Sequence, residues 1–144
     1  MLIERHKIIP GVYVIPKKNN KVLLLRRLNT GFEDGKYSLI GGHVEQNETF
    51  KQAIIKEARQ EAGIVINPKN LKFVHVICRK MSGERIDIFY VVSKWKGEVK
   101  NMEPKKCSGL RWFDIDKLPD NIILWVKQVI ENIDKTYYSE YGWE

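Results

Sequence analysis

The sequence predicts an α/β fold in which a mixed β-sheet is sandwiched between helices. Three observations lead there. Short apolar stretches bounded by turn residues recur along the chain, as strands do. A capped helix over Phe50–Ala62 interrupts them, and a second helix with a wide apolar face comes near the end. With 144 residues, a single domain spanning 1–144 is expected, its core within about 5–135, long enough to bury a real interior.

Each element has a local cause. Gly11-Val12-Tyr13-Val14-Ile15-Pro16 reads as a first strand stopped by proline, followed by a turn at Lys17–Asn20. Lys21 to Arg27 has a nearly continuous apolar run, Val22 to Leu25, so it is expected to be buried on both faces. Leu28 to Lys36 carries Asn29, Gly31, Asp34 and Gly35, the composition of a flexible loop. Tyr37–Ile40 leads into Gly41 and Gly42, a glycine turn where positive φ and close approach to a ligand are available. Thr49 and Gln52 have the spacing of a capping box, and Gly63 sits where a left-handed residue ends a helix.

Beyond the helix, Leu71–Cys78 and Arg85–Val92 form an antiparallel pair joined through Met81–Glu84. His75 reads as a hydrogen-bonded structural residue and Asp87 as a residue of the sheet surface, with a place facing the cleft as its alternative. Trp95 to Lys106 is a polar connection, and Leu110–Phe113 a short strand. Asp120 is positioned to cap the last helix, whose apolar face runs from Ile122 and Ile123 through Trp125, Val126, Val129 and Ile130 to Ile133. The aromatic tail, Tyr137 to Trp143, lacks periodicity; it docks on the domain, packs on a second subunit or is loose.

Composition narrows the classes of function. Hydrophobic residues make up 43% and charged residues 30% of the chain, an ordinary balance for a soluble globular protein. No apolar run approaches the roughly 20 residues that span a bilayer, and Met1–Lys7 lacks the features of a signal peptide. Cys78 and Cys107 have no metal-type spacing and read as free thiols in a reducing cytoplasm. The net charge of +7 is spread along the chain and favours anionic ligands. Without a motif for DNA or RNA, a small nucleotide or nucleotide derivative is the expected partner, the protein itself being a monomer or homodimer.

The chemistry concentrates in the middle helix. At roughly 100° per residue, Phe50, Ile54 and Ala58 share a face, and Glu57 and Glu61 project onto that same side. Two carboxylates on a core-facing surface need a compensating cation. A hard divalent ion such as magnesium or manganese suits their oxygens. The alternative for such a pair is a solvated helix with surface ion pairs. His43 reads as a turn residue, since oxygen suits magnesium better than imidazole does.

Order and spacing then bring in a family. Gly42, five residues, Glu48, seven residues, and Lys56-Glu57-Ala58-Arg59-Gln60-Glu61-Ala62-Gly63-Ile64 closely resemble the signature of the Nudix hydrolases. That signature is glycine, five residues, glutamate, seven residues, then Arg-Glu-apolar-x-Glu-Glu-x-Gly-apolar. Two departures from it stand out, and a third difference lies just upstream. Lys56 replaces the arginine, keeping charge without the planar fork. Gln60 replaces the first glutamate of the Glu-Glu pair, and Ile40 the proline that commonly precedes the paired glycines.

The resemblance implies a Nudix-type α/β/α sandwich and a pyrophosphohydrolase acting on phosphoric anhydrides with Mg²⁺, Mn²⁺ serving in its place. By position it implies Glu61 as principal metal ligand and Glu57 as a second ligand or the residue that orients the water. It makes Gln60 a weak ligand and the Gly41 carbonyl a member of the shell. Glu48 and Gly42 belong to the motif's bracing with Lys56. The extra acid that this fold supplies from a later loop falls on Glu103, with Glu98 as fallback, either as a ligand or as the base. Arg27 is the basic residue placed to face substrate phosphates, and Trp112 to Pro119 resembles the segment before the family's last helix. Substrate identity is not readable, with nucleoside triphosphates favoured weakly. A rival function is a binding module that holds a phosphorylated ligand without cutting it, for which Gln60 is the supporting feature. RNA binding through Lys and Arg alone would instead be strongly salt-dependent and indifferent to metal.

Overall fold

The computed structural model describes residues 3–144, so Met1 and Leu2 of the N-terminal segment lie outside the described residues. Eight strands and two helices follow in order: β1 (Ile9–Lys18), β2 (Lys21–Arg27), β3 (Tyr37–Ser38), β4 (Ile40–His43), α1 (Phe50–Ala62), β5 (Leu71–Lys80), β6 (Glu84–Val92), β7 (Cys107–Asp114), α2 (Leu124–Glu131) and β8 (Tyr137–Tyr141). The sheet is mixed, as expected. β1 runs parallel to β6 and antiparallel to β4 and to the start of β2. β6 continues antiparallel into β5, and β2 carries β7 and β3.

Alternation along β1 builds two cores. Val12 and Val14 point to one face with Ala53, Ile54 and Ala58 of α1, whereas Tyr13 and Ile15 point to the other with Trp125, Val126 and Val129 of α2. The helices therefore cover opposite faces, which is the sandwich the sequence predicts. The four apolar residues Val22–Leu25 are buried on both sides, as their continuous run requires.

Pro16 does not stop the first strand. The carbonyl of Pro10 accepts from the Val44 N–H, so even-numbered residues of β1 face the β4 side. Pro16 faces that same side in the gap where β4 pairing has ended at Val14 and β2 pairing begins at Lys17. Its missing N–H falls where no ladder bond is due.

The helices differ in how local their causes are. Thr49 and Gln52 form the reciprocal capping box, and Gly63 adopts φ 68°. Asp120, by contrast, does not cap α2, whose N-cap is Ile123 with no side-chain bond. Tyr37 N–H donates to the Asn121 carbonyl and Ile123 N–H to the Tyr37 carbonyl, which keeps the segment extended until Leu124. The aromatic tail docks. It adds β8 parallel to β5, Ser139 Oγ lies 2.8 Å from His75 Nε2, and Trp143 Nε1 donates to the Cys78 carbonyl. The sheet thus continues past the core bounds expected from the sequence. No helix among the described residues is long and apolar enough to cross a membrane, and both cysteines are free.

Candidate active site

A cleft of about 570 Å³ opens at the unpaired edge of β4. Gly41, Gly42, Glu57, Gln60, Glu61, Glu103 and Arg27 all line it. Glu98 does not.

The glycines act there by absence of side chain, not as a turn. Both lie within β4, and neither is among the residues with positive φ. A Cβ on Gly42 would sit 2.9 Å from the Glu57 carboxyl, and one on Gly41 would strike the Tyr13 ring and the Val12 carbonyl. Gly42 is thus the seat of Glu57. The ladder also frees Gly41: with Val44 bonded to Pro10, the bonded pairs are Gly42 with Val12 and Ile40 with Val14. The Gly41 N–H and carbonyl face away from β1, toward the open edge.

α1 brings the acids to this edge, and its end brings the third. The last carbonyls of a helix lack internal partners. Here the Glu61 carbonyl accepts from Met102 N–H and the Ala62 carbonyl from Lys100 N–H, which pins the 100–103 loop against the helix. Asn101 fixes the loop from within, accepting from Glu103 N–H and donating to the Cys107 carbonyl. At the other end of the motif, Lys56 Nζ donates to both oxygens of Glu48 at 3.0 and 3.2 Å, and Glu48 also accepts from Glu45 N–H. A lysine in the arginine position still meets the glutamate.

Burial, a hydrogen bond and repulsion from Glu57, and the Glu103 charge push the Glu61 carboxyl up to about 10, opposed by the Gly41 N–H.

A family model described as NUDIX domain matches residues 6–133. The chain belongs to the Nudix family. Similar proteins include the ADP-ribose pyrophosphatase of Methanocaldococcus jannaschii, 34% identical over 113 residues, 76% of this chain and 65% of that one. The 8-oxo-dGTP diphosphatase of Escherichia coli is 27% identical over 76% of this chain and 85% of its own. The NAD-capped RNA hydrolase NudC of Vibrio atlanticus is 26% identical over 88% of this chain, which spans 45% of that relative. Among solved structures, a MutT Nudix hydrolase from Burkholderia pseudomallei superposes with TM-score 0.82 at 22% identity, covering 89% of this chain and 99% of that one. At that identity the likeness is one of fold.

The residues of this Nudix domain fit a hard divalent cation. Among the described residues no three acidic, His or Cys side chains form a ready cage. Magnesium does not ask for one, since it keeps several waters and takes one or two carboxylates beside substrate phosphates. The chemistry of the donor set decides the fit: Glu57, Glu61, Glu103 and the Gln60 amide line one cleft, and burial first, then the neighbouring acids, raises the Glu61 pKa, a cost that a cation would offset.

Two sequence expectations need correction. The loop after β2, expected to be flexible, is tied by side chains: Asp34 accepts from the N–H groups of Thr30 and Gly31, and Arg27 donates to Phe32 O and Thr30 Oγ1. Arg27 therefore lines the cleft while anchoring its wall. Asp87 is fully buried, paired by its Oδ2 with Arg79 Nε at 2.8 Å, and not on the sheet surface. Arg79 and Arg85 line the cleft and went unread. Their one sequence signal was an acid inside an apolar strand opposite basic neighbours.

Proposed function

We propose that this Nudix domain hydrolyses a pyrophosphate linkage in a nucleoside diphosphate joined to another group. The observation that carries the reading is the convergence of Glu57, Glu61 and Glu103 on the free edge of β4. Glu61, Glu57 and the Gly41 carbonyl would hold Mg²⁺, or Mn²⁺ in its place, with the neutral Gln60 carbonyl a weaker donor. A bound divalent ion polarises phosphoryl oxygens and lowers the pKa of coordinated water. Glu103, on its braced loop, takes the proton of the attacking water as the new phosphorus–oxygen bond forms. The bridging oxygen leaves with the electron pair of the broken bond. Arg27 neutralises phosphate charge at the mouth, and Gly42, Glu48 and Lys56 keep the glutamates in register.

The relatives named for ADP-ribose, 8-oxo-dGTP and NAD-capped RNA support the class of linkage. Nucleoside triphosphates remain the first substrates to try. The test is release of phosphate, pyrophosphate or nucleoside monophosphate from a nucleotide panel with Mg²⁺, Mn²⁺ or chelator, with Glu61→Gln alongside. Metal-dependent turnover lost in Glu61→Gln is the expected result; turnover that survives chelator overturns the reading. Gln60 favours a second one, a domain that binds a phosphorylated ligand without cutting it. It predicts silence from the natural protein and turnover from Gln60→Glu.

A further inference from the structure

The cleft has a second end, on the α2 face of the sheet. Register sets Arg79 of β5 opposite Arg85 of β6, and alternation places Asp87 on the same face. Asp87 Oδ2 accepts from Arg79 Nε at 2.8 Å, and Arg85 Nη2 lies 3.5 Å from Asp87 Oδ1. Gly11 makes room for this carboxylate, because a Cβ there would collide with Oδ1. Two guanidiniums face one carboxylate, so the cluster keeps a net positive charge.

Part of its donor capacity is spent: Arg85 Nη1 lies 3.2 Å from His43 Nε2 and Arg85 Nη2 3.5 Å from the Tyr13 hydroxyl, while Asp87 Oδ1 has no hydrogen bond of its own. Two donors are left over. Arg85 Nε and Trp125 Nε1 are buried without a hydrogen-bond partner, and Trp125 is 3% exposed. Arg79, Arg85 and Trp125 all line the cleft. Buried donors left empty in a folded protein are rare and point to a missing acceptor. A nucleobase is a poor candidate for stacking there, because the rings are occupied. The Arg79 guanidinium lies 4.5 Å from the Trp125 ring centre, and Tyr13 stacks on Phe89 at 5.1 Å. Paired guanidiniums with an indole N–H match the oxygens of an oxyanion instead.

We infer that Arg79, Arg85 and Trp125 form an oxyanion subsite, taking a phosphate or carboxylate that the substrate carries at the end remote from the hydrolysed linkage. Asp87 is the positioning residue that aligns both guanidiniums. The cleft is then polar end to end, acids over α1 and cations under α2, which sets the direction in which a substrate enters. Placing this oxyanion on a substrate rests on the anhydride-hydrolysis reading; the binding of an oxyanion does not.

The test uses the metal-free protein in chelator, titrated with inorganic phosphate or with acetate while indole and guanidinium N–H signals are followed by NMR. We expect saturable shifts of the Trp125 indole and of the Arg79 and Arg85 Nε–H signals, with the preferred anion naming the source. Arg85→Gln should weaken that binding at least tenfold. Should Arg85→Gln not fold, Arg85→Lys serves, keeping charge but losing the Nε donor and therefore shrinking the Trp125 shift. In turnover, UDP-glucuronate against UDP-glucose, and a nucleoside triphosphate against its diphosphate, should show a preference for the added anion that Arg85→Gln removes. A Trp125 signal indifferent to tens of millimolar anion, or shifts untouched by both Arg85 variants, overturns the subsite. Absence of hydrolysis would overturn only the enzymatic reading, since the titration needs no turnover.

Discussion

Glu61 ordinarily titrates near 4.5, and burial beside Glu57 and Glu103 raises it to about 10. Between those values the folded chain keeps a proton that the unfolded chain has lost. Without metal, stability therefore falls as pH rises through that window. Glu61→Gln removes the penalty, so in chelator its melting temperature should exceed the natural protein's at about pH 8, with a flatter pH profile. Thermal scans from mildly acidic to mildly alkaline pH check both. The same proton must leave when a cation enters, so Mg²⁺ binding at about pH 7.5 should release roughly one proton. Calorimetry in buffers of different ionisation enthalpy measures it, and binding without proton release would contradict the assignment. Gly42 offers a steric counterpart. A Cβ 2.9 Å from the Glu57 carboxyl displaces the acid, and Gly42→Ala should lower kcat/KM about 100-fold, as small misplacements of reacting groups do. Its melting temperature should change much less.

At the scale of elements, α1 depends on its cap. Thr49→Ala loses the bond from Gln52 N–H and keeps only the half of the box in which Gln52 Oε1 accepts from the backbone N–H of residue 49, costing about 1 kcal/mol; denaturant unfolding should show that loss with an unchanged slope. This helix and its glutamates were legible because every cause lies within a few residues: the box before it, the glycine after it, the acids four apart. The start of α2 was not legible, because Tyr37 holds residues 121–123 extended from far along the chain. Pro16 misled for a related reason. A proline's tolerance depends on which neighbour lies beside it, and β1 changes neighbour there. The Arg79–Asp87 pair escaped because its members meet only through strand register. Gly41 and Gly42 were readable as special, but their use as space for other side chains appears only when Tyr13 and Glu57 arrive.

The whole molecule extends beyond the stretch that the family model matches, by the β8 strand. His75 is buried, its imidazole pushed down to about 4 by desolvation, and Ser139 is its hydrogen-bonding neighbour. Removing residues 136–144 should strip that partner and bare the β5 edge, lowering the melting temperature by several degrees and promoting self-association, as unpaired edges do. Size-exclusion chromatography across a concentration series checks the second effect. β1 is the shared spine of the sheet, and its pairing with β6 joins residues 76 positions apart. Such closure is slow relative to helix formation. A chain leaving the ribosome must therefore keep β1 partly unpaired until β6 has emerged, with the valines and isoleucines of β1 exposed in the interval.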